Sequence, residues 1–396
     1  MAANLGDLTA FVTVARSGGT HSPNDLRRER TVNMPAKAIL SLLLLSAVAV
    51  VTTTDSWADT IPGIRSDRGN LPSDPPTELK RLIGEYSSAD TRAYGPEETR
   101  LTIAEAGGKL FADGLGLHAV PLRRLAAMRF SVDGADGQPT HLDFELDRGQ
   151  RASAVVIGST RLPLRDIGRE VMETIRAGVK ADPAGLRNVA LAAKPPVEPA
   201  PKRASDLINL ATVDPTIKFD IRYASSNNFI GFPLYEWPAA YLQRPAAEAL
   251  GRVERTLASK GYGLLVYDGY RPWFVTKMFW DATPEMAHVF VADPSKGSRH
   301  NRGCAVDLTL YDLKSGRAVE MTGRYDEMSR RSYADYVGGT SRQRWLRDML
   351  RNEMEAQGFA VYPEEWWHFD YKDWGDYAIG TATFSQLDSA PHAPSP

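Results

Sequence analysis

Residues 193–202, AKPPVEPAPK, constrain the fold more than any other stretch, because they hold four prolines in ten positions. Each proline fixes φ and removes a backbone donor, so no regular helix or central strand continues through such a run. The composition predicts a semi-rigid extended linker, placed at 181–203. The chain has 396 residues, more than one average domain holds, so the linker divides it into two folded regions. Hydrophobic residues make up 43% and charged residues 24%, enough apolar material for two cores. The formal net charge of −2 excludes general binding to nucleic acid or to a membrane surface. The single cysteine, Cys304, excludes an intrachain disulfide.

Ahead of the linker, residues 75–180 read as a small mainly-β accessory domain. Residues 78–86, ELKRLIGEY, form a short helix or the entry to a strand. Short alternating stretches follow at 101–103, 130–132 and 142–146, divided by glycine and aspartate turns such as DGADG at 133–137. Period-2 alternation with frequent turns predicts an antiparallel meander or a small barrel. The LIGEY start with later short strands weakly resembles the β-domains appended to beta-lactamase-like proteins. His118 and His141 are isolated from other chemistry and are read as surface or strand residues.

Nearer the start, Lys37 precedes the apolar run AILSLLLLSAVAVV at 38–51, and Ser56-Trp57-Ala58 ends the segment. That order is a signal peptide, placed at 34–58. As a helix the run reaches roughly 21 Å, short of a hydrocarbon core of ~30 Å. The expected location is periplasmic or secreted, with no membrane span once the leader is removed. Residues 1–33 do not fit in front of such a leader and are read as a mis-assigned start or a fragment. NLGDLTAFVTVARSGG within them resembles the first helix of LysR-type regulators but is too short for that domain. Residues 384–396 are polar and proline-bearing, and are expected to be a disordered tail.

The second region, 204–383, reads as α+β. A helix is predicted over 245–260, with Leu250, Val253 and Leu257 on one face and Gly261 at the stop. A buried strand follows at 263–267. A second helix runs from Ser341, read as its N-cap, to Gln357, with Trp345, Met349 and Met354 inward and Leu346 and Leu350 beside them. Strands are predicted at 359–362 and 366–371, around Pro363.

Two segments of this region carry chemistry: SRHNRGCAVDLTL at 298–310 and EEWWHF at 364–369. Catalytic zinc sites use three ligands drawn from His, Asp and Glu and leave one position open. His300, Asp307 and His368 supply such a set, and Gly303 permits a turn between the first two. Zinc brings the pKa of water bound to it from ~15.7 toward ~7, and Glu365 is placed to take its proton. Side chains three apart on a strand face opposite ways, so Glu365 and His368 share a site only if a turn or bulge lies between them. By spacing alone, an H-x6-D pair also suits structural positions on a strand. Cys304 and His288 are read as structural, and Trp366 and Trp367 either wall a pocket or fill core.

The two segments resemble the signature segments of the D-alanyl-D-alanine dipeptidase family, the VanX-type zinc metallopeptidases. DIRYA at 220–224 with NFIG at 228–231, YDGYRP at 267–272 and MTGRYD at 321–326 resemble the same family in the same order. The resemblance covers about 204–375. It implies a peptidase domain with a small antiparallel sheet flanked by helices, and one zinc per chain on His300, Asp307 and His368. It further implies Glu365 as general base, Arg271 on the substrate carbonyl, and Ser298 and Asp326 as substrate-binding residues. The implied substrate is the dipeptide D-Ala-D-Ala, met in cell-wall salvage or turnover. Two alternatives stay open. One is a D,D-carboxypeptidase or endopeptidase acting on peptidoglycan fragments; the other is a zinc-containing wall-binding protein without catalysis.

Overall fold

In the computed structural model the described residues are 70–88, 100–133, 138–199 and 202–389. The leader and the irregular start expected at 1–58, and residues 390–396, lie outside them.

The first region is a curled sheet. After α1 (Thr77–Lys80) come β1 (Gly84–Ser87), β2 (Arg100–Ala106), β3 (Lys109–Gly114), β4 (Leu117–Pro121), β5 (Arg123–Arg124), β6 (Arg129–Asp133), β7 (Pro139–Leu146), β8 (Ala152–Ile157) and β9 (Thr160–Arg165). They hydrogen-bond in the order β4-β3-β2-β1-β9-β8-β7-β6-β5, every pair antiparallel. The two outermost strands, β4 and β5, are joined through Leu122 alone, which draws the opposite edges together as in a small barrel. Alternation buries one face of each strand. Leu101 and Ile103, Phe130 and Val132, and Leu142 and Phe144 share one core with Tyr86, whose ring meets Phe144 edge-on at 5.8 Å. His118 and His141 are exposed, as the sequence predicts.

Two helices follow, α2 (Ile167–Val179) and α3 (Pro183–Ala192). The second falls inside the stretch that the sequence presents as an extended linker. Its cause is local: Asp182 accepts the Gly185 N–H at 2.7 Å, and Pro183 occupies the first turn, where a missing N–H goes unused. Ala190 is fully buried, and Arg187 lies 5.1 Å over the Phe274 ring. The residues beyond α3 do run extended. Glu198 there accepts the Ile379 N–H at 2.7 Å and pairs with Arg302 at 2.7 Å, so the proline-rich stretch is strapped to the second region.

The second region is built on a five-stranded sheet. In chain order its elements are β10 (Leu207–Asn209), β11 (Lys218–Phe219), β12 (Tyr241–Gln243), α4 (Arg244–Ala258), β13 (Tyr262–Asp268), α5 (Trp273–Ala282), β14 (Ala305–Asp312), α6 (Ser341–Glu355), β15 (Phe359–Tyr362), β16 (Glu365–Tyr371) and α7 (Phe384–Ser389). The main sheet has the order β11-β13-β14-β16-β15, and β10 pairs separately with β12. It is mixed rather than wholly antiparallel, because β11 runs parallel to β13. Leu250, Val253 and Leu257 of α4 are fully buried, as their spacing predicts. The cap of α6 is Thr340, one residue before the serine predicted. Its side chain takes the Gln343 N–H while the Gln343 side chain takes the Thr340 N–H, a reciprocal capping box. Inward positions of α6 are Leu346, Met349, Leu350 and Met354, with Trp345 only partly covered.

Part of the expected tail is ordered. Phe384 is fully buried, its ring 4.6 Å from that of Tyr235, and Tyr241 donates to Asp388 at 2.7 Å. One aromatic seated in an aromatic pocket is enough to fix a short helix there. Among the described residues no helix is long and apolar enough to cross a membrane.

Candidate active site

Three adjacent strands bring the chemistry together. Across β13 and β14, Asp268 stands opposite Asp307; across β14 and β16, Asp307 stands opposite His368. A bulge between Val266 and Asp268 turns Asp268 toward the site. His300 arrives from a 3-10 turn, His300–Arg302, which leads into β14 through Gly303 at φ +66°. A Cβ on Gly303 would stand 2.4 Å from Leu207 Cδ2. Gly303→Ala therefore combines left-handed strain with a clash, and is expected to destabilise the fold by roughly 1–3 kcal/mol. Urea unfolding checks this; an unchanged midpoint would show that the turn does not need glycine.

His300, Asp307 and His368 form a buried cluster. His300 Nε2 lies 3.0 Å from His368 Nδ1, and Asp307 Oδ1 lies 3.2 Å and 3.1 Å from those two nitrogens. The outer partners fix what each ring presents. His300 Nδ1 donates to the Gly269 carbonyl at 2.7 Å, so its Nε2 carries the lone pair. His368 Nε2 reaches Asp370 at 2.9 Å, which directs the Nδ1 lone pair inward. Asp307 Oδ1 is buried without a hydrogen-bond partner. Three acceptor atoms thus converge on one point, an arrangement that only a proton or a cation holds together. The separations are close to the ~3.3 Å edge of a tetrahedron with zinc bonds of about 2.05 Å, and two imidazoles with one carboxylate suit that ion. Burial opposes a charge on His368, but Asp370 and Asp307 outweigh it and push the imidazole up to about 10. Burial likewise opposes the Asp307 charge, and His300 and His368 hold it far below the usual carboxylate range. The residues present fit a divalent metal.

The cluster lies in the wall of a cavity of about 570 Å³ that also reaches Arg271, Ser298, Asp326 and Glu365. Glu365 arrives by the bulge that the sequence demands. Pairing between β15 and β16 jumps from Val361 opposite Phe369 to Tyr362 opposite Glu365. Residues 366–368 are taken up in the irregularity, and Glu365 Oε2 stands 3.6 Å from His368 Nδ1. Burial raises the Glu365 carboxyl well above its ordinary value. Arg271 is buried and points both Nε and Nη2 at Asp268 Oδ2, at 3.0 and 2.8 Å. Tyr235 holds the other Asp268 oxygen at 2.7 Å, and Arg271 Nη2 lies 3.7 Å from Asp307 Oδ2. Tyr325 donates to that same Oδ2 at 3.0 Å.

Asp326 occupies another part of the cavity wall. Its Oδ1 accepts from Tyr223 at 2.9 Å, while Oδ2 is buried with no partner. Burial and then Asp307 raise its carboxyl far above the normal range. Ser298 is buried at the cavity, its Oγ accepting the His300 N–H at 3.2 Å. Nothing in residue type or spacing marks Asp268, Asp370, Tyr223, Tyr235 and Tyr325 as part of the site. The signal available is proximity: Asp370 lies two residues past His368, and Asp268 lies in the YDGYRP stretch. Cys304 is buried, with its thiol pushed up to about 12 by burial, in keeping with a structural role. His288 stacks on Trp280 at 3.7 Å and contacts the Thr283 carbonyl at 2.9 Å. Trp366 and Trp367 are both buried, and Trp367 also lines the cavity.

The family model described as D-ala-D-ala dipeptidase, Peptidase_M15, matches residues 203–386. The D-alanyl-D-alanine dipeptidase of Escherichia coli (strain K12) is 32% identical over 181 residues, covering 46% of this chain and 92% of that protein. Its counterpart from Enterococcus faecium is 35% identical over 178 residues, covering 40% and 87%. That from Streptomyces coelicolor is 34% identical over 175 residues, again covering 40% and 87%. A solved LD-carboxypeptidase is similar at 21% identity and a TM-score of 0.22, over 36% of this chain and 60% of that one, a likeness too slight to carry an argument.

Proposed function

Since the chain belongs to the D-Ala-D-Ala dipeptidase family of zinc metallopeptidases, we propose that it hydrolyses the dipeptide D-Ala-D-Ala with one zinc held by His300, Asp307 and His368. The observation that carries the reading is the convergence of three acceptor atoms beside a partly buried, unusually basic carboxylate in one cavity. Zinc there supplies Lewis acidity and lowers the pKa of coordinated water.

The remaining steps belong to the chain's own residues. Glu365 takes a proton from the attacking water and returns it to the leaving amine, a role for which its raised basicity suits it. Arg271, clamped by Asp268, offers fixed N–H groups to the carbonyl oxygen as negative charge develops on it. Asp326 accepts the substrate's ammonium on Oδ2, which has no protein donor. Ser298 helps position the dipeptide from beside the first ligand. In the exported location that residues 34–58 imply, the dipeptide would be met after its release from the wall, which favours salvage.

The test compares D-Ala-D-Ala with N-acetyl-D-Ala-D-Ala on zinc-loaded protein. Blocking the amine removes the charge that Asp326 requires and leaves a buried carboxylate unpaired. Turnover of the blocked compound is expected to fall by about 100-fold or more. Equal turnover of both would replace this reading with a D,D-carboxypeptidase acting on peptidoglycan fragments. Bound zinc without turnover of either would replace it with a binding role.

A further inference from the structure

A second cavity, of about 470 Å³, adjoins the first, and Phe229 and Asp326 stand in the wall of both. Thr309 and Trp366 line it from β14 and β16. Thr309 lies two residues beyond Asp307, so their side chains share one face of the sheet. Thr309 is 1% exposed and Trp366 2%, yet neither the hydroxyl nor the indole nitrogen has a hydrogen-bond partner. Buried polar groups of this kind cost stability unless something pairs with them. An indole N–H only donates, so whatever pairs with Trp366 is an acceptor.

The rest of the wall sets the charge and the body of that acceptor. Four arginines reach the cavity, Arg176, Arg222, Arg324 and Arg331, against two carboxylates, Glu320 and Asp326. Arg222 pairs with Asp220 at 2.7 Å and lies 4.9 Å over the Tyr267 ring. Arg324 and Arg331 share Glu327, at 3.7 and 3.5 Å, and Arg324 also pairs with Asp166. Arg176 pairs with no carboxylate among the described residues. Its Nε and Nη2 both donate to the Asn228 carbonyl, the former at 3.1 Å. Of the two carboxylates, Glu320 is exposed, and Asp326 has one oxygen on Tyr223. Met172, Val319 and Met321 add apolar surface. A cavity of this size holds more than a bare ion, and guanidinium groups suit carboxylates above other partners.

We propose that this second cavity binds a small carboxylate-bearing molecule with a short apolar body, whose carboxylate meets Thr309, Trp366 and Arg222. Its place beside Asp326 gives the site a consequence. The arginines raise the positive potential near Asp326, which opposes an incoming ammonium, and a bound carboxylate offsets them. Occupancy therefore lowers KM for D-Ala-D-Ala, and by linkage the substrate tightens the carboxylate by the same factor. This consequence, unlike the site itself, rests on the dipeptidase reading.

The test is saturation-transfer NMR with butyrate on the full chain, zinc-loaded and zinc-free. Binding is expected in both forms, weakened about tenfold or more by Thr309→Val and by Arg222→Gln. Thr309→Val keeps the shape of the side chain and removes a hydroxyl without a partner, so its Tm is expected to be no lower than that of the wild type. No binding by the wild type, or equal binding by both variants, would overturn the proposal. So would binding that needs zinc, because butyrate would then sit on the three-acceptor cluster. Inorganic phosphate is added as a competitor to the zinc-free protein; displacement at concentrations well below those of butyrate would overturn the carboxylate assignment in favour of a phosphate site. In kinetics, saturating butyrate is expected to lower KM for D-Ala-D-Ala about fivefold with kcat within about twofold. An unchanged KM in a protein that binds butyrate would overturn the coupling. Failure of the wild type to cleave D-Ala-D-Ala at all would instead sink the dipeptidase reading, and the binding result would stand apart from it.

Discussion

Glu365→Gln is expected to lower kcat for D-Ala-D-Ala by about 1,000-fold while zinc content stays at one per chain, since a positioned general base contributes roughly 100- to 10,000-fold. The other carboxylates of the site are committed elsewhere. Asp268 is bound by Arg271 and Tyr235, Asp307 belongs to the three-acceptor cluster, Asp370 orients His368, and Asp326 is held by Tyr223. Glu365 stands 3.6 Å from the His368 ring, outside hydrogen-bond reach of it, and is free to exchange a proton. The amide of glutamine keeps the shape and removes the basicity. Burial raises the Glu365 carboxyl, so the base is protonated at a higher pH than an ordinary glutamate. Wild-type kcat should fall as pH drops through that raised value, and the residual activity of the variant should lack this limb. Steady-state kinetics across pH, with metal analysis of both proteins, decide the matter. A variant that loses its zinc would make Glu365 a ligand; one that keeps both zinc and rate would remove it from the chemistry.

The parts of this site that are legible in the sequence are the local ones. His300 and Asp307 are separated by one turn and the start of one strand, and Glu365 and His368 share a strand, so residue type and spacing alone raise the metal reading. Even the bulge in β16 follows, because a regular strand cannot aim residues three apart at one cavity. What escapes is set by pairing between distant segments. Asp268 becomes the clamp of Arg271 only through the β13–β14 register, and Tyr223 reaches Asp326 only through tertiary packing. Glu105 reads as an ordinary strand charge until its burial and its hydrogen bonds to Ser341, more than 200 residues away, are known. Composition misled in two places for one reason. Proline at the first turn starts α3 as readily as it breaks a helix, and a polar tail needs only Phe384 to dock.

Removing the metal is expected to abolish turnover and to lower stability by about 4 kcal/mol, relative to protein held at free zinc 1,000-fold above Kd. Three acceptors 3.0–3.2 Å apart repel one another unless positive charge lies among them. In the metal-free protein a proton on His368 fills that role: burial opposes its charge, but Asp370 and Asp307 outweigh that and push its folded value up to about 10, from 6.5. A raised value of this kind adds stability that is fully present below about 6.5 and is lost as pH climbs through about 10. A zinc ion held by His300, Asp307 and His368 would displace that proton, so its apparent affinity should rise with pH over the same window. The Tm of metal-free protein should therefore decline from pH 6.5 to 9 relative to the zinc-loaded form, and the gap between them should widen. Asp307→Asn, which removes the anion at the centre of the cluster, should lose most of the zinc dependence of Tm. Paired melts of the two forms across that range are the measurement. A gap that stays constant with pH would mean that His368 is not the group the metal discharges. No gap at all would mean that the three acceptors do not hold a cation, and the proposed chemistry would fail with them.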